Sequence, residues 1–382
     1  MGVVHTSSGR CKKCYSCIRN CPVKAIKVEN EQSQVIDSKC ISCGSCVKVC
    51  KQNAKQIDDG IAPALRLLES GERVAACIAP SFPAEFHDLR PGQVFASLRA
   101  VGFDFVAEVS VGAGLIAGSY LSLLRDGDRN PLISSACSAI VNIIEVYYPQ
   151  LISNLAPVAS PMVALARYIK AELGEGTKVV FIGPCLAKKS EILSKPLSGD
   201  VDCVMTFEEL HKLLDLKNIS VAEMQPDYAD LLDLSDSSTL SVSGGLSYAL
   251  GLQGGLLNQD FVTCEGPENC IAVLDDIATG KIYPRFVDLL FCDGCIDGPG
   301  MTGQRSLHFK RHIVASYVKE KRIAHSPQDY SSYSAFLTRA SAELDLSREF
   351  DDRSVPTHIA DENIIETVLR QIGKQTGQEL NC

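Results

Sequence analysis

The chain has 382 residues, is 46% hydrophobic and carries a formal net charge of −9. That length allows two or three domains with sizeable cores, and no run approaches the ~18 uninterrupted apolar residues of a membrane span. Met1 to Arg10 lacks the apolar stretch of a secretion signal, so a cytoplasmic location is expected, and the seventeen cysteines read as thiolate ligands in place of disulfides.

The first feature in chain order is a doubled cysteine run. Cys11, Cys14, Cys17 and Cys21, followed by Pro22, and then Cys40, Cys43, Cys46 and Cys50 share the spacing C-x2-C-x2-C-x3-C. Three thiolates at three-residue intervals wrap one face of a 4Fe–4S cubane, and the fourth reaches across to the neighbouring cluster. Cys11, Cys14, Cys17 and Cys50 are therefore expected on one cluster, and Cys40, Cys43, Cys46 and Cys21 on the other. Zinc sites favour two CxxC pairs over runs of four. Pro22 fits the two-cluster bacterial-ferredoxin pattern, whereas Lys51 stands where a second Pro is common. Short strands are predicted at Ala25–Val28 and near Val35–Ile36. Residues 1–57 carry ten Lys and Arg against Glu29, Glu31 and Asp37, a net +7 that leaves −16 for the remainder. Each four-thiolate cluster is anionic, so the basic shell offsets cluster charge, and no nucleic-acid partner is expected. Residues 1–58 thus read as a small α+β ferredoxin-like domain that moves electrons.

Over 59–382, short β-rich runs alternate with helical segments. Pro63–Ser70 reads as a helix, Arg73–Ala79 as a strand, Gly92–Ala100 as a helix and Phe105–Val109 as a strand. Strands follow at Lys178–Ile182 and Val201–Met205, and Thr206 with Glu209 forms a capping box that opens a helix through Leu214. The alternation predicts an α/β domain of twisted, largely parallel sheets flanked by helices. In such folds ligands gather beyond the carboxyl ends of strands. Cys137 follows the run Pro131–Ser135 and precedes a helix at Ile140–Tyr148. Cys185 sits in the turn after Lys178–Ile182. Cys292 and Cys295 follow Phe286–Phe291 and lead into Gly298-Pro299-Gly300. Thiolates drawn from three separated loops are how a buried metal centre is assembled, although each cysteine alone would read as a core thiol.

The surrounding residues carry a resemblance. Ser134-Ser135-Ala136-Cys137-Ser138, Gly183-Pro184-Cys185-Leu186-Ala187-Lys188-Lys189-Ser190-Glu191 and Leu290 to Gly300 resemble the three signature segments of the FeFe-hydrogenases. Ala79-Pro80-Ser81, Ser160-Pro161 and Ser243-Gly244-Gly245 add support, and the likeness runs from Cys11 to about Gly303. It implies an H-cluster: a 4Fe–4S cubane joined through one thiolate to a diiron unit with CO, cyanide and azadithiolate ligands. By position, Cys137, Cys185, Cys292 and Cys295 would hold the cubane, with Cys295 bridging. Lys188 would donate to a cyanide, and Ser81, beside Pro80, would donate to the diiron unit. The implied chemistry is H2 = 2H+ + 2e−, with electrons leaving through the ferredoxin clusters. Implied partners are H2 and protons, a redox or signalling protein, and the hydrogenase maturation proteins, with no membrane involved.

Departures from the family pattern reshape that expectation. The family's proton-relay cysteine is Ala136, whose methyl neither donates nor accepts. The stretch that should bring the relay carboxylates, Gly114 to Leu121, holds no acid. The family's Met before Pro-Cys is Gly183, its Gln after Ser-Pro is Met162, and Cys292 and Cys295 are separated by two residues where three are usual. Loss of general acid–base assistance is worth ~10²–10⁴-fold in rate, so a slow, sensory-type FeFe-hydrogenase is expected. Two alternatives stay open: an ordinary catalytic hydrogenase with another proton route, through Glu191 or a water chain, and a non-hydrogenase iron–sulfur assembly or electron-transfer protein of the same fold. Retention of Lys188 speaks against the last. Cys77 and Cys203 read as core thiols, Cys264 and Cys270 have no signature, and His308 with His312 reads as a solvated helix face. Asp351-Asp352-Arg353 reads as a polar loop. The chain ends on Cys382, where some relatives continue into a further cysteine-rich module.

Overall fold

The computed structural model describes residues 2–127, 131–252, 259–355 and 362–371. Cys382, with the Glu379-Leu380-Asn381 before it, lies outside the described residues.

The N-terminal module has four short strands: β1 (Val4–Thr6), β2 (Ile26–Glu29), β3 (Gln32–Val35) and β4 (Lys55–Ile57). β1 pairs antiparallel with β4, and β2 with β3. Two single-turn helices, Ser16–Arg19 and Ser45–Lys48, carry Cys17 and Cys46. Cys17, Cys21, Cys46, Ala25 and Ile26 form its small core with Val3 and Val4. A core this thin leaves much of the module's cohesion to bound metal.

Among the described residues, seven further strands are parallel in two sheets. β5 (Val74–Ile78), β6 (Phe105–Glu108), β7 (Leu132–Ile133), β8 (Lys178–Gly183), β9 (Cys203–Thr206), β10 (Phe261–Glu265) and β11 (Phe286–Leu290) assemble as β6-β5-β8-β9 and β10-β11-β7. Every residue of β5 and β11 is buried, the continuous pattern of a parallel strand covered on both faces. Helices Pro91–Val101, Pro161–Leu173 and Phe207–Leu216 flank the four-stranded sheet. Ser138–Tyr147 and Pro267–Ala278 cover the three-stranded one. The Thr206 cap is made in both directions: Thr206 Oγ1 accepts from the Glu209 N–H at 3.1 Å, and Glu209 Oε2 accepts from the Thr206 N–H at 2.7 Å. The sequence-based strands agree with these within a residue or two, except that the strand expected near Val35–Ile36 runs over Gln32–Val35 and Pro131–Ser135 contributes only Leu132–Ile133.

The stretch read as a polar loop does more than that. Arg353 Nε donates to Glu145 at 2.8 Å and its Nη2 to Asn142 at 2.6 Å, while the Asp351 N–H donates to Glu145 at 3.1 Å. These bonds strap the segment to the Ser138–Tyr147 helix. His308 and His312 are both exposed, as a solvated helix face requires.

Candidate metal centre

The ferredoxin module brings Cys21, Cys40, Cys43 and Cys46 around one cavity of about 20 Å³. Cys21 therefore crosses from the first run to the second. Backbone N–H groups meet the sulfurs in a repeated pattern: Ala25 N to Cys21 Sγ at 3.2 Å and Ala54 N to Cys50 Sγ at 3.3 Å. Each sits four residues after its cysteine, so the two halves are built alike. Such bonds stabilise thiolate charge and raise a cluster's potential. Burial pushes the Cys40 thiol up to about 11 and the Cys46 thiol up to about 12, with the neighbouring cysteines adding to it. Cys11 moves the other way, its thiolate favoured first by the Lys13 backbone N–H. Cys14 is exposed and Cys17 buried.

The second thiol group lies where the two parallel sheets direct their carboxyl ends. β7 leads into Ser134–Cys137, and this loop is fixed by Ser135 Oγ donating to the Val158 carbonyl at 2.8 Å and by the Ser135 N–H on Tyr120 Oη at 3.0 Å. Cys137 is the N-cap of the Ser138–Tyr147 helix. β8 leads through Gly183 and Pro184 to Cys185, and β11 leads to Cys292 and Cys295. Cys137, Cys185, Cys292 and Cys295 line one cavity of about 20 Å³ together with Cys43. The ferredoxin loop thus reaches the wall of the deeper site. Burial pushes the Cys185 thiol up to about 11, with Cys137 adding and Lys188 opposing. Cys292 and Cys295 are also raised, by burial first and then by one another's neighbourhood of sulfurs. Thiols this buried stay protonated without metal, so iron binding must displace their protons. Among the described residues no three ligand-type side chains converge on a single ion position. A cubane asks for something else, four thiolates around a volume with one per iron, and that is the arrangement here.

Beside the four thiols is a second cavity of about 70 Å³. Ala79, Pro80, Val109, Ala136, Met162, Phe181, Leu240 and Leu290 make its apolar wall, and Lys188, Ser138 and Ser241 are the polar lining residues. Gly183 is required here by space: a Cβ on it would lie 2.6 Å from Ala79 Cβ and 2.7 Å from the Phe181 ring. Phe181 therefore occupies room that a longer side chain at 183 would need. Lys188 Nζ donates to Glu191 at 2.6 Å, and Glu191 also accepts from Ser138 Oγ at 2.6 Å and Arg348 Nη1 at 2.7 Å. Glu191 is wholly buried, which by itself would raise it, but Lys188 and Arg348 hold it down to about 2. A carboxylate kept ionised so firmly is a poor proton carrier near neutral pH. The helix Ser110–Asp126 packs Ser110, Val111, Leu115 and Ile116 inward, and no acid of that helix reaches the cavity.

A diiron unit with CO and cyanide ligands needs apolar contact for the CO and hydrogen-bond donors for the cyanides. Ser81 Oγ and Ser241 Oγ are buried with no partner. Ser241 lines the cavity; Ser81 lies one residue behind Pro80, which does. The wall and its donors fit such a group. Nothing in the spacing of Ser241, Arg348 and Phe181 marks them in the sequence as part of the site.

An α/β fold with thiol groups at its strand ends and a two-cluster module docked against them defines an iron–sulfur redox protein. The comparisons with known proteins sharpen this. Residues 72–299 match the C-terminal domain of the iron-only hydrogenase large subunit, and residues 4–51 match a 4Fe–4S dicluster domain. The chain belongs to the FeFe-hydrogenase family, and its two parts are a 4Fe–4S dicluster module and the C-terminal domain of the hydrogenase large subunit. Iron hydrogenase 1 of Clostridium pasteurianum is 29% identical over 258 residues, covering 58% of this chain and 44% of that protein. A subunit of the NADP-reducing hydrogenase of Solidesulfovibrio fructosivorans is 28% identical over 308 residues, covering 74% and 46%. A cytosolic Fe–S cluster assembly factor of Aspergillus clavatus is 26% identical over 232 residues, covering 50% and 38%. The chain spans less than half the length of these relatives. In fold, it matches an FeFe-hydrogenase from Chlamydomonas reinhardtii at a TM-score of 0.60 and 19% identity, over 78% of this chain and all of that one. No described helix is long and apolar enough to cross a membrane.

Proposed function

We propose that this chain binds and reversibly splits H2 at an H-cluster, slowly, and serves as a sensor. Cys137, Cys185, Cys292 and Cys295 would hold the cubane, Cys295 would bridge to the diiron unit, and Lys188, Ser81 and Ser241 would donate to its cyanides. When bound, that group supplies reversible H2 heterolysis. The protein's part is to hold it in an apolar-walled cavity and to pass electrons outward past Cys43, which lines the cavities of both cysteine groups. One observation carries the sensory reading: the cavity wall at the relay position is the Ala136 methyl, and among the described residues the only titratable groups lining the cavity are Lys188 and cysteines. Lys188 is committed to a fully buried Glu191, so neither side chain can shuttle protons at speed. Such a site senses by occupancy and redox state, which a partner protein reads through the ferredoxin clusters.

The matches to cytosolic Fe–S cluster assembly factors favour a second reading, a cluster protein without the diiron unit. Infrared spectroscopy of anaerobically matured protein separates them. CO and cyanide bands that shift under H2, with H2 oxidation orders of magnitude below that of a hydrogen-evolving enzyme, are expected. Iron for three cubanes and no such bands would support the assembly reading and end the first.

A further inference from the structure

We propose that Cys264 and Cys270 form a reversible dithiol–disulfide couple, a thiol-exchange site closed by a low-molecular-weight disulfide. Their sulfurs lie 3.7 Å apart, near enough for side-chain rotation to bring them to the ~2.05 Å of a disulfide. Among the described residues, the other two cysteines outside the cluster groups are each alone: Cys77 is fully buried in β5, and Cys203 donates to the Gly60 carbonyl. The two members of the pair also differ in a way that suits exchange. Cys264 is half-buried on β10, which is the edge strand of its sheet among the described residues, so a second molecule can reach it. Cys270 is fully buried on the Pro267–Ala278 helix and donates to the Leu290 carbonyl at 3.4 Å. Cys264 is the more exposed of the two, which marks it as the attacking sulfur.

The step balances as ordinary exchange. Cys264 thiolate attacks one sulfur of the incoming disulfide; that S–S bond breaks, and the first thiol leaves. Cys270 then attacks the Cys264 sulfur, the mixed disulfide breaks, and the second thiol leaves. Two protein thiols are oxidised and one external disulfide is reduced to two thiols, which carry away the two protons. The couple is also placed to touch the metal centre: between its members, the Gly266 N–H is shared by the Leu290 and Cys292 carbonyls at 3.1 and 3.2 Å.

The test uses the full chain with its clusters, kept anaerobic and equilibrated in glutathione buffers from fully reduced to fully oxidised. It is then alkylated under denaturing conditions, and the peptide containing residues 264–270 is weighed. As the buffer becomes oxidising, the doubly alkylated peptide falls at least tenfold and an unalkylated form two hydrogens lighter replaces it. In C270S, a glutathione adduct accumulates on Cys264 instead. Double alkylation at every poise would overturn the proposal, as would a wild-type glutathione adduct on Cys264 with Cys270 still free in the most oxidising buffer.

Discussion

Ala136 and Glu191 are the two residues on which the chemistry of the site turns. A methyl at 136 leaves the cavity without a proton donor or acceptor at the relay position, so A136C should raise H2 turnover by about 10²–10⁴-fold. Hydrogen-dependent dye reduction would measure it, and an unchanged rate would mean proton delivery is not limiting. Glu191 shows the opposite design, a charge held for structure. Its folded value is depressed from 4.5 to about 2, so its contribution to stability is complete above pH 4.5 and is lost as pH falls toward 2. That shift corresponds to roughly 3 kcal/mol, and E191Q strands Lys188 and Arg348 as buried cations, at a cost of about 3–5 kcal/mol. Denaturant titrations should therefore show a large wild-type advantage at pH 7 that narrows below pH 4. A constant gap across that range would exclude this electrostatic account. Little of this was legible beforehand. Lys188 and Ala136 fell in recognisable segments, but Arg348 stands 157 residues from its carboxylate and no local pattern connects them.

Helices late in the chain are held to early strands by buried polar contacts. The helix Leu307–Ala324 directs Lys321 Nζ to Glu108 Oε2 of β6 at 3.0 Å and to Ser238 Oγ at 2.7 Å, and Tyr317 donates to the same Glu108. Asp233 lies 3.8 Å from Lys321 Nζ and accepts from Tyr333 of the following helix, Pro327–Glu343, at 3.0 Å. Two buried carboxylates thus share one buried lysine. K321M would leave both without a cation and should cost about 3–5 kcal/mol, read as a lowered urea midpoint with the slope unchanged. An effect under about 1 kcal/mol would mean that the tyrosine and serine hydroxyls suffice. The sequence marked only a solvated helix face at His308 and His312, and a lysine on a helix reads as solvated until the partner strand is known.

The whole molecule depends on how the ferredoxin module meets the larger domain. Gly44 has φ of +79°, and a Cβ there would lie 2.5 Å from Pro299 Cγ, so the second cysteine loop and the loop after Cys295 are packed backbone to ring. Asp297 bridges the parts, paired with Lys48 of the module and with Lys310 at 2.8 Å. Asn142 and Tyr147 donate to the carbonyls of Ile41 and Lys39 at 3.0 and 2.8 Å. G44A meets both a strained backbone and a clash, and should separate the two cysteine groups. Slower electron exchange between the module and the deeper cubane, followed by freeze-quench EPR, is the expected sign; wild-type kinetics would show that the joint tolerates the extra carbon. The doubled cysteine runs, the alternation of strands and helices, and the three thiol-bearing segments were all set by residues near one another in the chain. Cubane loops and helix caps close over a few positions, so spacing alone determines them. The apolar wall around Ala136, the meeting of Arg348 with Glu191, and the reach of Cys43 to the deeper thiols were decided only in three dimensions. Each depends on which strand ends and loops the parallel sheets bring together, and such contacts between distant segments leave no periodic trace in the sequence.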